Sequence, residues 1–187
     1  MAKMVYSAIT SLDGYVADEN GEFDWGTPEA EVFTFINDIE QRFGTNLYGR
    51  RMYETMVYWE TFDGSGHQPP YIRDFAMMWG AANKVVYSTT LKEVSSARTR
   101  IEPRFDVDEV RRLKQSSEHD VSIGGANLAG QAIEAGLIDV MHLFVTPVSV
   151  GGGTPALPEH LNWELELVNV DRFSSGVVHL EYHPLAE

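Results

Sequence analysis

Three times in this chain a short apolar strand runs straight into glycine or hydroxyl residues, and twice the turn leads on into a helical segment. Leu47-Tyr48 leads to Gly49-Arg50, Val86-Tyr87 to Ser88-Thr89, and Ile123 to Gly124-Gly125-Ala126. Parallel neighbours need a long crossover, and a helix is the compact way to make one, so this alternation specifies an α/β sheet. With these three, at 46–48, 84–88 and 121–123, strands are predicted at 4–9, 99–101 and 141–148. Thr27-Pro28-Glu29 predicts a helix start with the Thr27 hydroxyl as cap and Pro28 at the first helical position. Val32, Phe33, Ile36 and Ile39 give that helix an apolar face, and Gly44 is expected to stop it. Other helices are predicted at 51–57, 107–115 and 128–135, and a loop at 60–70. The tail differs: two alternating runs, 164–173 and 176–182, flank Ser174-Ser175-Gly176 and read as a β-hairpin. Residues 1–187 are therefore expected to form one α/β domain, with a mostly parallel central sheet and an antiparallel hairpin at the C-terminus.

Charge and composition narrow the function. The chain has 187 residues, a formal net charge of −14 and no cysteine. A strongly acidic surface repels phosphate backbones and anionic lipid, which argues against nucleic-acid and membrane partners. Without cysteine there are no disulfides, thiolate nucleophiles or Cys-ligated zinc. No apolar run reaches the roughly 20 residues of a membrane span, and the N-terminus enters a strand pattern without a signal-peptide core. A soluble cytoplasmic protein is expected.

In an open α/β sheet, ligands bind beyond the carboxyl ends of the strands. There the sequence places Gly49-Arg50-Arg51, Ser88-Thr89-Thr90 and Gly124-Gly125-Ala126-Asn127. Two of these enter helices, whose first N–H groups lack partners and carry partial positive charge, and glycine lets a ligand approach the backbone. A pyrophosphate suits the two helix ends; a further phosphate suits Arg50 with the hydroxyls of Ser88 and Thr89. Each piece alone also reads as a turn, a cap or a solvated face; their joint appearance after strands is what points to a dinucleotide. No carboxylate follows residues 84–88 until Glu93, which favours NADP over NAD. The run Gly125-Ala126-Asn127-Leu128-Ala129-Gly130 has P-loop glycine spacing, but Gln131-Ala132 replace the required Lys-Ser/Thr, which argues against a nucleoside-triphosphatase.

The blocks Ser11-Leu12-Asp13-Gly14-Tyr15-Val16-Ala17, Leu47-Tyr48-Gly49-Arg50, Val86-Tyr87-Ser88-Thr89, Ile123-Gly124-Gly125-Ala126 and Pro147 to Pro155, in this order, resemble the dihydrofolate reductase-like superfamily. The nearest likeness is to free-standing proteins similar to the reductase domain of bifunctional riboflavin-biosynthesis enzymes. The resemblance spans nearly the whole chain. It implies a dihydrofolate reductase-like three-layer fold, NADPH as hydride donor, and often a homodimer. It also implies cofactor contacts from Gly49, Arg50, Arg51, Ser88, Thr89, Gly124, Gly125, Ala126, Asn127 and Leu128, with Ile9, Val16 and Ala17 lining the nicotinamide, and a cis peptide between Gly124 and Gly125. The chain departs from true dihydrofolate reductases at Val32-Phe33-Thr34, where no acid stands in register to grip a pterin, and at Met52, where many reductases have threonine.

On the substrate side, Asp13 is the candidate catalytic carboxylate, with a structural turn as its alternative. Asp24 and Trp25 read as either a substrate lid or a surface loop, and Phe33 and Tyr53 as either stacking platforms or core. A phosphoribosyl substrate would need a second anion site, at Arg73 or the Gly151–Gly153 loop. His179 and His183 lie about 13 Å apart along a strand, the other histidines are scattered, and no metal site is expected. Ser65 lacks the strand-turn-helix setting of a serine nucleophile. The sequence thus points to an NADPH-dependent reductase of a small planar heterocycle, pterin or aminouracil-like. Its rival is a nucleotide-binding dimer of the same fold without turnover.

Overall fold

The computed structural model describes residues 1–62 and 68–185. In chain order the elements are β1 (Met4–Thr10), β2 (Tyr15–Ala17), α1 (Ala30–Glu40), β3 (Phe43–Gly49), α2 (Arg50–Met56), α3 (Pro70–Ala81), β4 (Asn83–Tyr87), β5 (Thr99–Glu102), α4 (Val107–Ser116), β6 (Asp120–Gly124), α5 (Ala126–Glu134), β7 (Val140–Val145), β8 (Thr154–Pro155), β9 (Leu165–Arg172) and β10 (Val178–Pro184). Short 3-10 turns cover Asp24–Gly26 and Val57–Thr61.

Eight strands form one sheet in the order β5-β4-β3-β6-β1-β7-β10-β9. The first six are parallel; β10 runs antiparallel to β7 and β9 antiparallel to β10, as the tail predicts. A second, two-stranded sheet pairs β2 with β8 and was not legible in the sequence. Side chains alternate across the sheet. Met4, Tyr6, Leu47, Val85, Val121, Ile123 and Met141 pack on one face with Val110 of α4 and Leu128, Ala129 and Ala132 of α5. On the other face, Val5 and Phe144 pack with Val32 and Ile39 of α1, and Tyr48 and Val86 with Tyr53 of α2 and Phe75 and Trp79 of α3.

Two local expectations fail at α1. Thr27 does not cap it: the helix begins at Ala30 with Glu29 in the cap position and no side chain capping its first turn, so Thr27, at φ −62°, ψ 115°, and Pro28 both lie before the helix. Gly44 is not its stop but lies inside β3, where a Cβ would stand 2.9 Å from that of His119. The expected loop 60–70 splits into the 3-10 turn ending at Thr61 and the start of α3 at Pro70, with Ser65 and His67 outside the described residues. Helix α3 had its own signal, Pro70 at the first position with Phe75 and Trp79 four apart. Its C-terminus is closed by Lys84 from the start of β4. The Lys84 ammonium, 1% exposed, donates to the carbonyls of Trp79 (2.8 Å) and Ala82 (2.9 Å) and sits 4.1 Å from the Trp79 ring centre. Burial lowers its pKa, and the cation complements the negative end of the helix.

Candidate functional site

The strand register brings the three turns together. Gly49 pairs with Tyr87, the last residue of β4, and Tyr48 pairs with Gly124, the last of β6. Gly49-Arg50, Ser88-Thr89 and Gly124-Gly125 therefore leave three adjacent strands at one edge. Gly125 holds φ +95° as N-cap of α5, and no side chain caps the first turn of α5 or of α2. A Cβ on Gly125 would come within 4.0 Å of the Gly49 nitrogen, so the two uncapped turns lie side by side. All peptide bonds among the described residues are trans. The cis bond expected between Gly124 and Gly125 is absent; the positive φ of Gly125, open to glycine at little cost, makes the turn instead. Gly124 is demanded by packing: a Cβ there would stand 3.0 Å from the Tyr48 ring and 3.2 Å from Met52 Cγ. Met52, standing where threonine is common, fills the space beneath the paired glycines.

Around this edge the side chains divide. Arg50 is half-exposed and pairs loosely with Glu54 on the next turn of its helix, 3.6 Å away. Arg51, Thr89 and Asn127 are exposed. Ser88 Oγ accepts from the N–H groups of Thr90 (3.2 Å) and Leu91 (3.0 Å). Its acceptor side shapes the turn, and its hydroxyl also lies 3.4 Å from Thr90 Oγ1. Ala126 is half-buried at the start of α5, whereas Leu128 is buried core, so what it presents to the edge is backbone. Ile9, near the end of β1, meets the 24–26 turn: a Cβ on Gly26 would lie 3.2 Å from Ile9 Cγ2. Val16 and Ala17 lie half-buried on β2.

Asp13 is placed otherwise than a proton donor requires. One oxygen accepts from Ser149 Oγ (2.8 Å) and Gly151 N–H (2.7 Å), the other from Val150 N–H (3.1 Å). The Ser11 hydroxyl, followed by Gly151, Ser149 and Val150, holds its carboxyl well below the usual carboxylate range. It is a positioning group that ties the β1–β2 turn to the glycine loop before β8. Sequence left this open because its partners lie up to 138 residues away. Gly151, the first glycine of the 151–153 loop, is thereby engaged with Asp13, and Arg73 stands on the exposed side of α3, lining a cavity of about 370 Å³ with Trp59, Phe62 and Met77.

Tyr53 is corrected as a substrate residue. It is 3% exposed, and its hydroxyl bonds Ser96 Oγ (2.9 Å) and accepts from Ser95 N–H (3.0 Å). Phe33 is part of an aromatic cluster, with ring centres 5.3 Å from Tyr71, 5.5 Å from Phe75 and 6.3 Å from Trp59. Asp24 is exposed. Trp25 is turned partly inward, and its Nε1, like Ser7 Oγ on β1, is buried without a hydrogen-bond partner among the described residues. Among those residues no three His, Asp or Glu side chains are arranged to hold a metal ion, and no helix is long and apolar enough to cross a membrane.

Residues 2–179 match the family described as the RibD C-terminal domain. The chain belongs to that family. It is 30% identical over 187 residues to YyaP of Bacillus subtilis (strain 168), an uncharacterized protein, covering 97% of this chain and 94% of that one. Among solved structures it is similar to a putative riboflavin biosynthesis protein from Shewanella sp. PV-4, with TM-score 0.75, 22% identity and full coverage of both chains. A pyrimidine reductase-like protein from Corynebacterium diphtheriae gives TM-score 0.70 and 14% identity, covering 100% of this chain and 93% of the other. Dihydrofolate reductase from Enterococcus faecalis, complexed with NADP(H), gives TM-score 0.62 and 16% identity, covering 97% and 96%. The fold is thus dihydrofolate reductase-like, as the order of sequence blocks implies.

Proposed function

We propose that the chain is an NADPH-dependent reductase acting on a small planar heterocycle, pterin or aminouracil-like. One observation carries this reading: the ends of β4, β3 and β6 bring two uncapped helix starts, a guanidinium and a pair of hydroxyl residues to a single edge. Family membership and likeness to a reductase complexed with NADP(H) support it. The donor set suits the coenzyme chemically. Backbone N–H groups at the starts of α2 and α5 would hold the pyrophosphate, and Arg50, Ser88 and Thr89 would hold the 2′-phosphate, Arg50 as a planar fork. Bound NADPH supplies a hydride. The chain's own residues bind, orient and exclude water: Ile9 and Ala17 wall the site, while Asp13 fixes the loop that packs against β2. Buried polar atoms without partners are costly, and Trp25 Nε1–H and Ser7 Oγ are the two such atoms on the β1 side that a substrate or its ordered water would satisfy.

Intrinsic fluorescence tests this directly, because four tryptophans report binding without knowledge of the substrate. Saturable quenching by NADPH at lower concentration than by NADH is expected; no quenching by either ends the reading. A second reading, a nucleotide-binding protein without turnover, is favoured by the engagement of both Asp13 oxygens. NADPH oxidation against pterins, dihydrofolate and aminouracils separates the two, since a pure binder quenches and never oxidises.

A further inference from the structure

Outside this site the sheet carries a chain of three polar side chains, two buried imidazoles and a half-buried carboxylate, that the proposed reaction does not use. His179 Nδ1 lies 3.0 Å from Asp171 Oδ2 on β9, and His179 Nε2 lies 2.9 Å from His142 Nδ1 on β7. His179 is 1% exposed and His142 7%. The two imidazoles stack, with centres 5.1 Å apart and planes 27° apart. His179 also lies 4.8 Å from the Phe35 ring of α1 and 4.7 Å from that of Phe144. A carboxylate, two imidazoles and a phenyl ring thus join β9, β10, β7 and α1 at one point.

The proton count of this chain is limited. A carboxylate only accepts, so His179 donates its Nδ1–H to Asp171. One hydrogen then lies between His179 Nε2 and His142 Nδ1. Either His142 donates it, from a neutral ring or as the cation, or His179 is the cation and donates to a neutral His142, the arrangement that sets the added charge against Asp171. A second proton on the pair places two N–H groups face to face across 2.9 Å and destroys the bond. The other charges that reach His142 are Glu181 and His183 on β10, themselves 2.9 Å apart, and Arg42 after α1. Ser7 on β1 and Phe35 on α1 are uncharged. Burial, followed by the neighbouring His179, pushes the His142 pKa down from 6.5 to about 4.

We propose that Asp171, His179 and His142 form an acid-sensitive latch, which fastens the β9–β10 hairpin to β7 and α1 when the pair carries at most one added proton and releases it when a second arrives. A second tether holds the hairpin turn: Glu31 of α1 accepts from Ser174 N–H (3.0 Å) and Oγ (2.6 Å). Those bonds lower the Glu31 pKa from its ordinary 4.5, so this tether is still in place at pH 4.8. Release therefore begins at the strands and not at the turn.

The sign follows from linkage. A histidine whose folded pKa is depressed leaves the fold at full stability above its unfolded value of 6.5, and stability falls as pH drops from there to about 4. Across that window the equilibrium between fastened and released hairpin shifts toward release by up to ~300-fold, at a factor of ten per pH unit. The experiment is hydrogen exchange by mass spectrometry on the whole chain at pH 7.0 and 4.8, corrected for the intrinsic rate. Peptides from 165–184 are compared with peptides from 120–135. In the wild type, hairpin protection is expected to fall at least tenfold more than that of 120–135; in His142→Phe the two regions should change within threefold of each other. Equal behaviour of the two regions in the wild type, or an undiminished hairpin loss in His142→Phe, overturns the latch. If His142→Phe does not fold, ring-nitrogen NMR of the wild type decides: His142 must stay neutral below pH 5, and titration near 6.5 overturns it.

Discussion

Arg50→Ala offers the sharpest test of the cofactor edge. Its guanidinium is about half exposed and its Glu54 partner lies 3.6 Å away on the next helical turn. Exposed pairs of this kind contribute about 0.3–0.5 kcal/mol, so turning Arg50 from Glu54 to a phosphate costs little. A hydrogen bond to a charged group contributes about 1.5–3 kcal/mol; partial exposure and screening over a Debye length of about 8 Å in 0.15 M salt bring the expected loss to the lower end of that range. Arg50→Ala should therefore raise the Kd for NADPH about 10–30-fold, read by tryptophan quenching, and that for NADH less than about threefold. Glu54→Gln frees the guanidinium and should tighten NADPH about twofold. Equal losses of both coenzymes on Arg50→Ala would refute the assignment of Arg50 to the 2′-phosphate.

Other outcomes follow from the packing. Gly125→Ala forces a Cβ onto a residue at φ +95°, a cost of about 1–2 kcal/mol; urea unfolding should show that loss together with weaker quenching by both coenzymes. Lys84→Met leaves the Trp79 and Ala82 carbonyls unpaired at the end of α3 and should destabilise the fold by about 1–3 kcal/mol, whereas a rise in Tm refutes the capping role. Leu167, Val168 and Val170 of the outermost strand are about half exposed, and an apolar free edge invites pairing with another chain. We propose a homodimer that uses this edge. Sedimentation velocity should show a dimer for the wild type and a monomer for Val170→Lys, and a monomeric wild type excludes it.

What could be read from the sequence was local. Gly49-Arg50, Ser88-Thr89 and Gly124-Gly125 announced themselves because a strand, a turn and a helix are specified by neighbouring residues, and the parallel order of the strands then placed all three on one edge. Asp13 was ambiguous because its hydrogen-bond donors Ser149, Val150 and Gly151 are set by tertiary packing. Tyr53 has the composition of a stacking platform, and only the position of Ser95 and Ser96 shows that its hydroxyl is spent. His142 looked isolated in the sequence, yet the antiparallel pairing of β7 and β10 sets it in contact with His179, 37 residues away.

The place of β1 near the middle of the sheet has a consequence for biosynthesis. Its neighbours on either side are β6 and β7, with Met4 opposite Val121 and Val5 opposite Val140. Synthesis proceeds at about 5–20 residues per second. Strand β1 leaves the ribosome more than 100 residues ahead of β6 and β7 and therefore spends several seconds or more without the partners that shelter it. Such a nascent chain is a natural client for a holdase, and point changes that make β1 more adhesive should lower the yield of soluble protein before they alter the finished molecule.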